Sequence, residues 1–486
     1  MVHAHPGRRS RGGTAAVSHL DPQVFATYLE RTRWFGGKGR AYDVTDVSTI
    51  GTLPGEPPLV VVHLVEVTYA DGSDGGEAGV ELYQVPLAFY EHPEQRLDHA
   101  FVGWWEDPDH GWVHAYDALH DREAMALWQR AFDDAAESPD GTMSSDGLVF
   151  HRLPGHDLDL DAQSSLFSGE QSNSSVRYGE DALMKVFRKV TPGRNPDISV
   201  HEVLTEAGST HVAHLYGWLE TVQDGEPVQL AMLQQFLRTA TDGWELALAS
   251  VRSLYADLDV HAHDSGGDFA GEASRLGEAL REVHETLHEH FPAERRPASA
   301  ARELADAMVG RLEAAAAVVP ELAEHTGRLR GAYDAVAGLG DLDVQQVHGD
   351  LHLGQTLRTS IGWKIVDFEG EPAKPLAERQ LPDSPWRDVA GMLRSFDYAP
   401  RVVQRSLGIE DGPDAELLEQ RAQEWAERNK NHFLTAYAGG GLSAEQQTLL
   451  DAYVADKAVY ETVYETRNRP SWVGIPLQAV AKIGAP

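Results

Sequence analysis

β-prone runs separated by polar turns mark the first half of the chain, and a helical period dominates the second. Leu59–Tyr69 is a strongly β-prone run, and Val80–Ala88 is another. The Gly/Asp/Ser-rich stretch 70–79 between them predicts hairpin or small-sheet material. Helices are expected over Phe25–Glu30 and Arg122–Phe132, and the polar stretch 135–146 marks a boundary. Asp181–Phe187 alternates like a half-buried strand, and Leu230–Leu237 is an apolar strand running into a linker. From Asp242 onward amphipathic helices follow, such as Ala300–Val319 and Leu417–Tyr437, interrupted by two short β-runs, Val344–Val347 and Trp363–Val366. No internal repeat is visible. The pattern predicts an α+β chain with a tail over 1–20, a small β-rich region over 21–135, a second sheet region over 148–240 and a helical region over 241–486.

Composition narrows the setting. A chain of 486 residues can bury a large core in two or three folded units. It contains no Cys, so neither a disulfide framework nor a thiolate metal site is available. No apolar stretch reaches the roughly eighteen residues of a membrane span. Arg8, Arg9 and Arg11 are followed by no apolar segment, so the first residues read as a disordered tail and not a secretory signal. These features point to a soluble cytoplasmic enzyme. A formal charge of −35 argues against nucleic acid and anionic membranes as partners, and nucleotide phosphates would need local cations to offset it.

The chemistry concentrates in His348-Gly349-Asp350-Leu351-His352-Leu353-Gly354-Gln355 and in Ile365-Val366-Asp367-Phe368-Glu369. Gln355 stands five residues after Asp350 and Asp367 seventeen; the apolar run 344–347 precedes the first motif and 363–366 precedes Asp367. Phosphoryl transfer needs such parts. One carboxylate orients and accepts the proton of an attacking hydroxyl, and oxygen ligands hold Mg²⁺ against the nucleotide phosphates. Taken singly, an Asp in a loop is usually a turn former or a helix cap; the order of strand, loop, strand and Asp-Phe favours the kinase reading. Protein kinases carry HRD, Asn and DFG at these places, whereas this chain has Gly349, Gln355 and Glu369. The pattern resembles the small-molecule, aminoglycoside-phosphotransferase-like kinases. Without the Arg, regulation by loop phosphorylation is not expected.

Such a kinase needs an upstream lysine. Lys185 lies among apolar neighbours in the 181–187 strand and can pair with ATP phosphates if a helix glutamate holds it; Glu202 is the first candidate and Glu206 the second. Alone, Lys185 would pass for an ordinary strand lysine. Ser172, Asn173 and Ser174, in the segment 169–176, could cover the phosphates, although a plain hairpin turn accounts for them nearly as well. The backbone from Gln235 to Leu237 would bind adenine, by position in the chain. A competing signal is His284-Glu285-Thr286-Leu287-His288, which matches H-E-x-x-H. Its helix carries the stripe Leu276, Leu280, Val283 and Leu287, so a core helix explains it better than zinc.

Two end segments narrow the resemblance. In 456–477, Lys457, Tyr460, Glu461 and Tyr464 share one helix face at i, i+3, i+4 and i+7, a suitable face for stacking on and hydrogen-bonding a sugar, or else for ordinary packing. This segment and Arg33-Trp34-Phe35-Gly36-Gly37-Lys38-Gly39-Arg40 are similar to the C-terminal and N-terminal signatures of bacterial maltokinases. The resemblance spans nearly the whole chain apart from the N-terminal tail. It implies a bilobal protein-kinase-like fold with an N-terminal cap and a mostly helical C-terminal lobe. The implied reaction is ATP-dependent phosphorylation of maltose at its anomeric hydroxyl, feeding α-glucan (glycogen) synthesis, with trehalose synthase as metabolic and physical partner. Asp350 would be the catalytic base, and Gln355 and Asp367 the Mg²⁺ ligands. His352, Glu369, Arg394, Tyr398, Lys457, Tyr460, Glu461 and Tyr464 would serve the sugar, and Asp388 would brace the catalytic loop. A glucosamine kinase and an aminoglycoside phosphotransferase are the rivals of the same architecture; a catalytically silent partner of trehalose synthase is the rival outside it.

Overall fold

The computed structural model describes residues 20–55, 57–70, 79–107, 110–167, 172–371, 374–409 and 414–483. The expected tail, up to residue 19, and positions 169–171 of the expected phosphate loop lie outside them. The chain forms two compact units, residues 1–193 with 216–236, and 194–215 with 237–486.

The first unit begins with helix α1 (Pro22–Arg31), capped by the Asp21 carboxylate and led by Pro22. Strands β1 (Tyr42–Thr52), β2 (Leu59–Tyr69), β3 (Val80–Tyr90), β4 (Phe101–Asp107) and β5 (Gly111–Asp117) form an antiparallel sheet in the order β1-β2-β3-β5-β4. Phe25, Leu29 and Phe35 pack on this sheet. Helix α2 (Arg122–Glu137) follows. The stretch expected as a linker is shorter than its polarity suggested: α2 runs to Glu137 and β6 (Thr142–Ser145) pairs with β7 (Leu148–Arg152). Strands β8 (Ser164–Leu166), β9 (Ser174–Tyr178) and β10 (Ala182–Val186) come next, then β11 (Lys189–Val190), which adds to β3. With β12 (Leu215–Gln223) and β13 (Glu226–Gln235) the second sheet has the order β6-β7-β12-β13-β10-β9-β8.

The second unit starts with helix α3 (Pro196–Glu206), capped by Asn195. Val200 and Leu204 of α3 join the core of this unit. Strand β14 (Thr241–Asp242) leads into α4 (Gly243–Tyr255) and α5 (Ala270–His290). Strand β15 (Glu294–Arg296), α6 (Ala298–Val318), α7 (Thr326–Ala337) and β16 (Leu342–Val344) follow. The run expected as a strand over 344–347 is strand only to Val344; beyond it a single bridge joins Gln345 to Asp383. Strands β17 (Thr356–Thr359) and β18 (Gly362–Ile365) form a hairpin. Helices α8 (Leu376–Arg379), α9 (Trp386–Leu407), α10 (Ala415–Ala438), α11 (Ala444–Asn468) and α12 (Gly474–Lys482) complete the unit. Among the described residues, no helix is long and apolar enough to cross a membrane.

Candidate active site

The second unit brings the two acidic motifs together through backbone contacts. Gly349 and Gly370 have φ of +85° and +74°, and a Cβ added at Gly349 would lie 3.5 Å from the Gly370 Cα. A side chain there would be strained, which accounts for glycine at the centre of the triplet. The buried His348 ring joins the two segments: Nε2 donates to the Val366 carbonyl at 3.0 Å, and Nδ1 accepts the Asp350 N–H at 3.3 Å. Its ring also meets Phe368, which in turn meets His201 of α3.

Asp388, fully buried on α9, braces the loop as expected. Its Oδ2 accepts the His348 N–H at 2.7 Å and its Oδ1 the Gly349 N–H at 2.8 Å. Burial works to raise its pKa, but His284, His348 and the Gly349 amide outweigh it and hold the carboxyl below the usual range. His284 donates from Nε2 to Asp388 at 3.0 Å and accepts the Tyr437 hydroxyl at Nδ1, at 2.9 Å. Both ring nitrogens of the first histidine in the H-E-x-x-H segment are thus engaged in the core. Helix α9 approaches the loop closely at Gly391, where a Cβ would stand 2.3 Å from the Leu351 carbonyl oxygen.

Asp367, at φ +68°, accepts the Gln355 side-chain amide at 2.9 Å. Asp197, Asp367 and Glu369 each place a carboxylate oxygen within 4.8 Å of the others. Hard oxygen donors at this density fit Mg²⁺. Glu369, expected on the sugar side, therefore sits with the metal-type carboxylates. Asp197 was not foreseen; it lies in the first turn of α3 and accepts the Phe368 N–H at 2.9 Å, so only tertiary packing brings it here.

Asp350 receives Lys457 Nζ at 3.0 Å. Burial works to strip the proton from Lys457, yet the carboxylates of Asp350, Glu461 and Glu371 outweigh it and raise its pKa above the ordinary lysine value. Asp350, Lys457 and Tyr460 line a cavity of about 170 Å³ with Glu371, Asp383, Arg387, Arg311 and Asp456. The last five were not anticipated, since they come from separate loops and helices with no motif of their own. Tyr464 stacks beside Tyr460 at 6.3 Å, and the two rings are 45% and 38% exposed. His352 caps a local turn by accepting the Gly354 N–H at 3.1 Å; burial lowers its pKa against the pull of Asp350.

Arg394, Glu461 and Tyr398 occupy a different position from the one expected. Arg394 is 2% exposed, and its guanidinium grips Glu461 Oε2 at 2.6 and 3.0 Å and Asp397 at 3.0 Å. Burial opposes its charge, and Glu461 and Asp397 outweigh it and raise its pKa. Tyr398 donates to Glu465 at 3.4 Å. These groups tie α9 to α11, and Arg394 lines a separate cavity of about 200 Å³ with Asp397 and Lys430. The reason is that a buried guanidinium must spend its donors on carboxylates.

Of the residues expected at the nucleotide, Lys185 lies on β10 in the first unit, opposite Ser175 of β9. Ser172 and Asn173 precede β9. Ser174 faces away from Lys185, because it pairs with Val186 and alternate residues point to opposite sides. Its hydroxyl accepts Arg188 Nε at 2.8 Å, so it is not placed to cover phosphates as expected. Gln235 ends β13 in the first unit. Leu237 and Glu202 belong to the second unit, where Arg194 approaches Glu202 at 3.8 Å.

Comparison with known proteins agrees with these features. Residues 28–121 match the maltokinase N-terminal cap domain. The chain is 29% identical over 322 residues to a glucosamine kinase of Streptacidiphilus jiangxiensis, covering 63% of this chain and 70% of the relative. It is 26% identical over 377 residues to a glucosamine kinase of Mycolicibacterium smegmatis, covering 73% of this chain and 90% of the relative. A solved glucosamine kinase in complex with glucosamine, ADP and inorganic phosphate superposes with a TM-score of 0.66 at 22% identity, covering 96% of this chain and 98% of that one. The chain accordingly carries a match to the maltokinase N-terminal cap, is similar to glucosamine kinases over most of its length, and shares their kinase-like fold.

Proposed function

We propose that the protein transfers the γ-phosphoryl group of ATP to the anomeric hydroxyl of maltose. The observation that carries the sugar assignment is the charge balance of the cavity beside Asp350. Each lining carboxylate meets a cation, four against four: Asp350 meets Lys457, Glu371 meets Lys374 and Arg387, Asp383 meets Arg387, and Asp456 meets Arg311. A polycationic aminoglycoside needs a surplus of carboxylates, and the ammonium group of glucosamine needs one to itself. A neutral sugar needs neither. The reducing ring would enter the cavity, and the second ring would lie over Tyr460 and Tyr464.

In this reading Asp350 orients the sugar hydroxyl and accepts its proton as oxygen attacks phosphorus, while Lys457 holds the carboxylate in position. Asp367, Gln355, Asp197 and Glu369 would hold Mg²⁺, which when bound offsets the phosphate charge. Lys185 is the proposed phosphate contact, and Gln235 and Leu237 are the proposed adenine contacts. The product would serve α-glucan synthesis, with trehalose synthase as the proposed supplier of maltose.

The glucosamine kinase relatives make glucosamine the second reading. ATP consumption with Mg²⁺ against maltose, glucosamine, glucose and kanamycin separates the two. A preference for maltose is expected; a preference for glucosamine would overturn the substrate and leave the kinase chemistry in place. No turnover with any acceptor would favour the silent-partner alternative.

A further inference from the structure

The second unit holds a cavity of about 590 Å³ that shares no lining residue with the one beside Asp350. The last turns of α5, strand β16, the start of α9, the end of α10 and the first turn of α11 enclose it. The H-E-x-x-H segment borders it through His284, Glu285 and His288.

Its rim is acidic. Glu285 meets Arg281 at 3.8 Å, and Asp341 meets Arg295 at 3.5 Å. Glu289, Asp343 and Glu445 meet no cation among the described residues, so three carboxylates are left over. Solvated acids are ordinary on a chain with a formal charge of −35; the floor sets this cavity apart from the rest of the surface. Gln345 is 8% exposed, and its Nε2 donates to the His284 carbonyl at 2.8 Å. That bond fixes the amide and leaves Oε1 to the cavity, with no donor among the described residues. A buried acceptor without a donor is costly, so the floor calls for a ligand that donates. The nearly buried Trp386 and Tyr437 rings stand edge to face at 5.5 Å in the same lining, and an aromatic wall favours an ammonium group.

We propose that this cavity binds a linear polyamine. The three left-over carboxylates match three ammonium groups. They stand on three different elements, α5, β16 and α11. Among the described residues, only Asp197, Asp367 and Glu369 converge closely enough to share a metal ion. The rim charge is thus spread as a chain of ammonium groups spreads it, and not gathered as a divalent cation requires. The volume falls within the range of about 300–1,000 Å³ found for small-molecule pockets. One ammonium would donate to Gln345 Oε1 beside the rings, and the others would reach the rim.

The test is calorimetric titration of the full chain with spermidine and with butylamine in about 0.15 M salt, which screens diffuse attraction to the acidic surface. It is repeated with a Glu289→Gln/Asp343→Asn variant and with a Glu321→Gln/Glu324→Gln variant, whose exposed carboxylates lie outside the cavity. One spermidine per chain is expected, bound at least about tenfold more weakly after the first pair of substitutions and unchanged by the second. Absence of saturable binding, several equivalent spermidines per chain, binding unaffected by the first pair, or equal weakening by both pairs would each overturn the site. Butylamine binding as tightly as spermidine would overturn the polyamine assignment.

Discussion

Asp388 lies 40 residues beyond His348, yet its carboxylate holds the His348 N–H at 2.7 Å. The same group takes the next amide of the loop and His284. Removing it leaves these donors unpaired in the core. Asp388→Ala should cost about 3–5 kcal/mol of stability and lower kcat with it, read by urea unfolding and by steady-state assay. Asp388→Asn, which keeps the shape, should cost less. The pH dependence has a defined sign. Because the folded pKa is depressed, the contribution is fully present above the ordinary aspartate value of about 3.9 and is lost as pH falls through the folded value. The stability gap between the wild type and Asp388→Asn should therefore be constant near neutrality and close only below about pH 4. A gap that closes near pH 7 would contradict this role.

Lys457→Met should remove the cation that aims Asp350. We expect kcat to fall on the order of 100-fold with a smaller change in the KM for ATP. Since its pKa is raised, Lys457 keeps its proton below the ordinary lysine value of about 10.4 and releases it only as pH rises through the higher folded value. The wild-type rate should show no basic limb from this group below about pH 10. A limb near pH 8 that vanishes in the variant would refute the assignment.

Arg394→Met and Glu461→Gln should act on stability, because the first leaves Glu461 buried without its guanidinium and the second leaves the buried Arg394 with Asp397 alone. The expected loss is about 3–5 kcal/mol for Arg394→Met, with KM for the sugar changed little in the protein that remains folded. Thermal unfolding and sugar-dependent kinetics together check this. A selective rise in KM at unchanged melting temperature would return Arg394 to the sugar.

Tyr460→Ala and Tyr464→Ala test the outer ring position. The rings are partly exposed, so stability should change by less than about 1 kcal/mol. KM for maltose should rise roughly 5- to 10-fold, the equivalent of about 1 kcal/mol of stacking, while a monosaccharide acceptor is unaffected. Equal effects on both sugars would remove the second ring from these tyrosines.

The sequence by itself determined the elements and the reactive loop. β-prone runs located β2 and β3, alternation located β10, and the spacing from Asp350 to Gln355 and Asp367 was legible because a tight loop and a hairpin set that geometry locally. The charged stripe of α11 could be read only in part, since helical period puts Lys457 and Glu461 on one face but says nothing of what faces them. Tertiary structure decided that Lys457 meets Asp350 across 107 residues while Glu461 is claimed by Arg394. It also decided that Asp197 joins Asp367, that Glu369 lies with the metal-type acids, and that Ser174 turns toward Arg188. The physical reason is common to all of these: a charged group withdrawn from water takes whichever partner packing brings within reach, and that partner is distant in the chain.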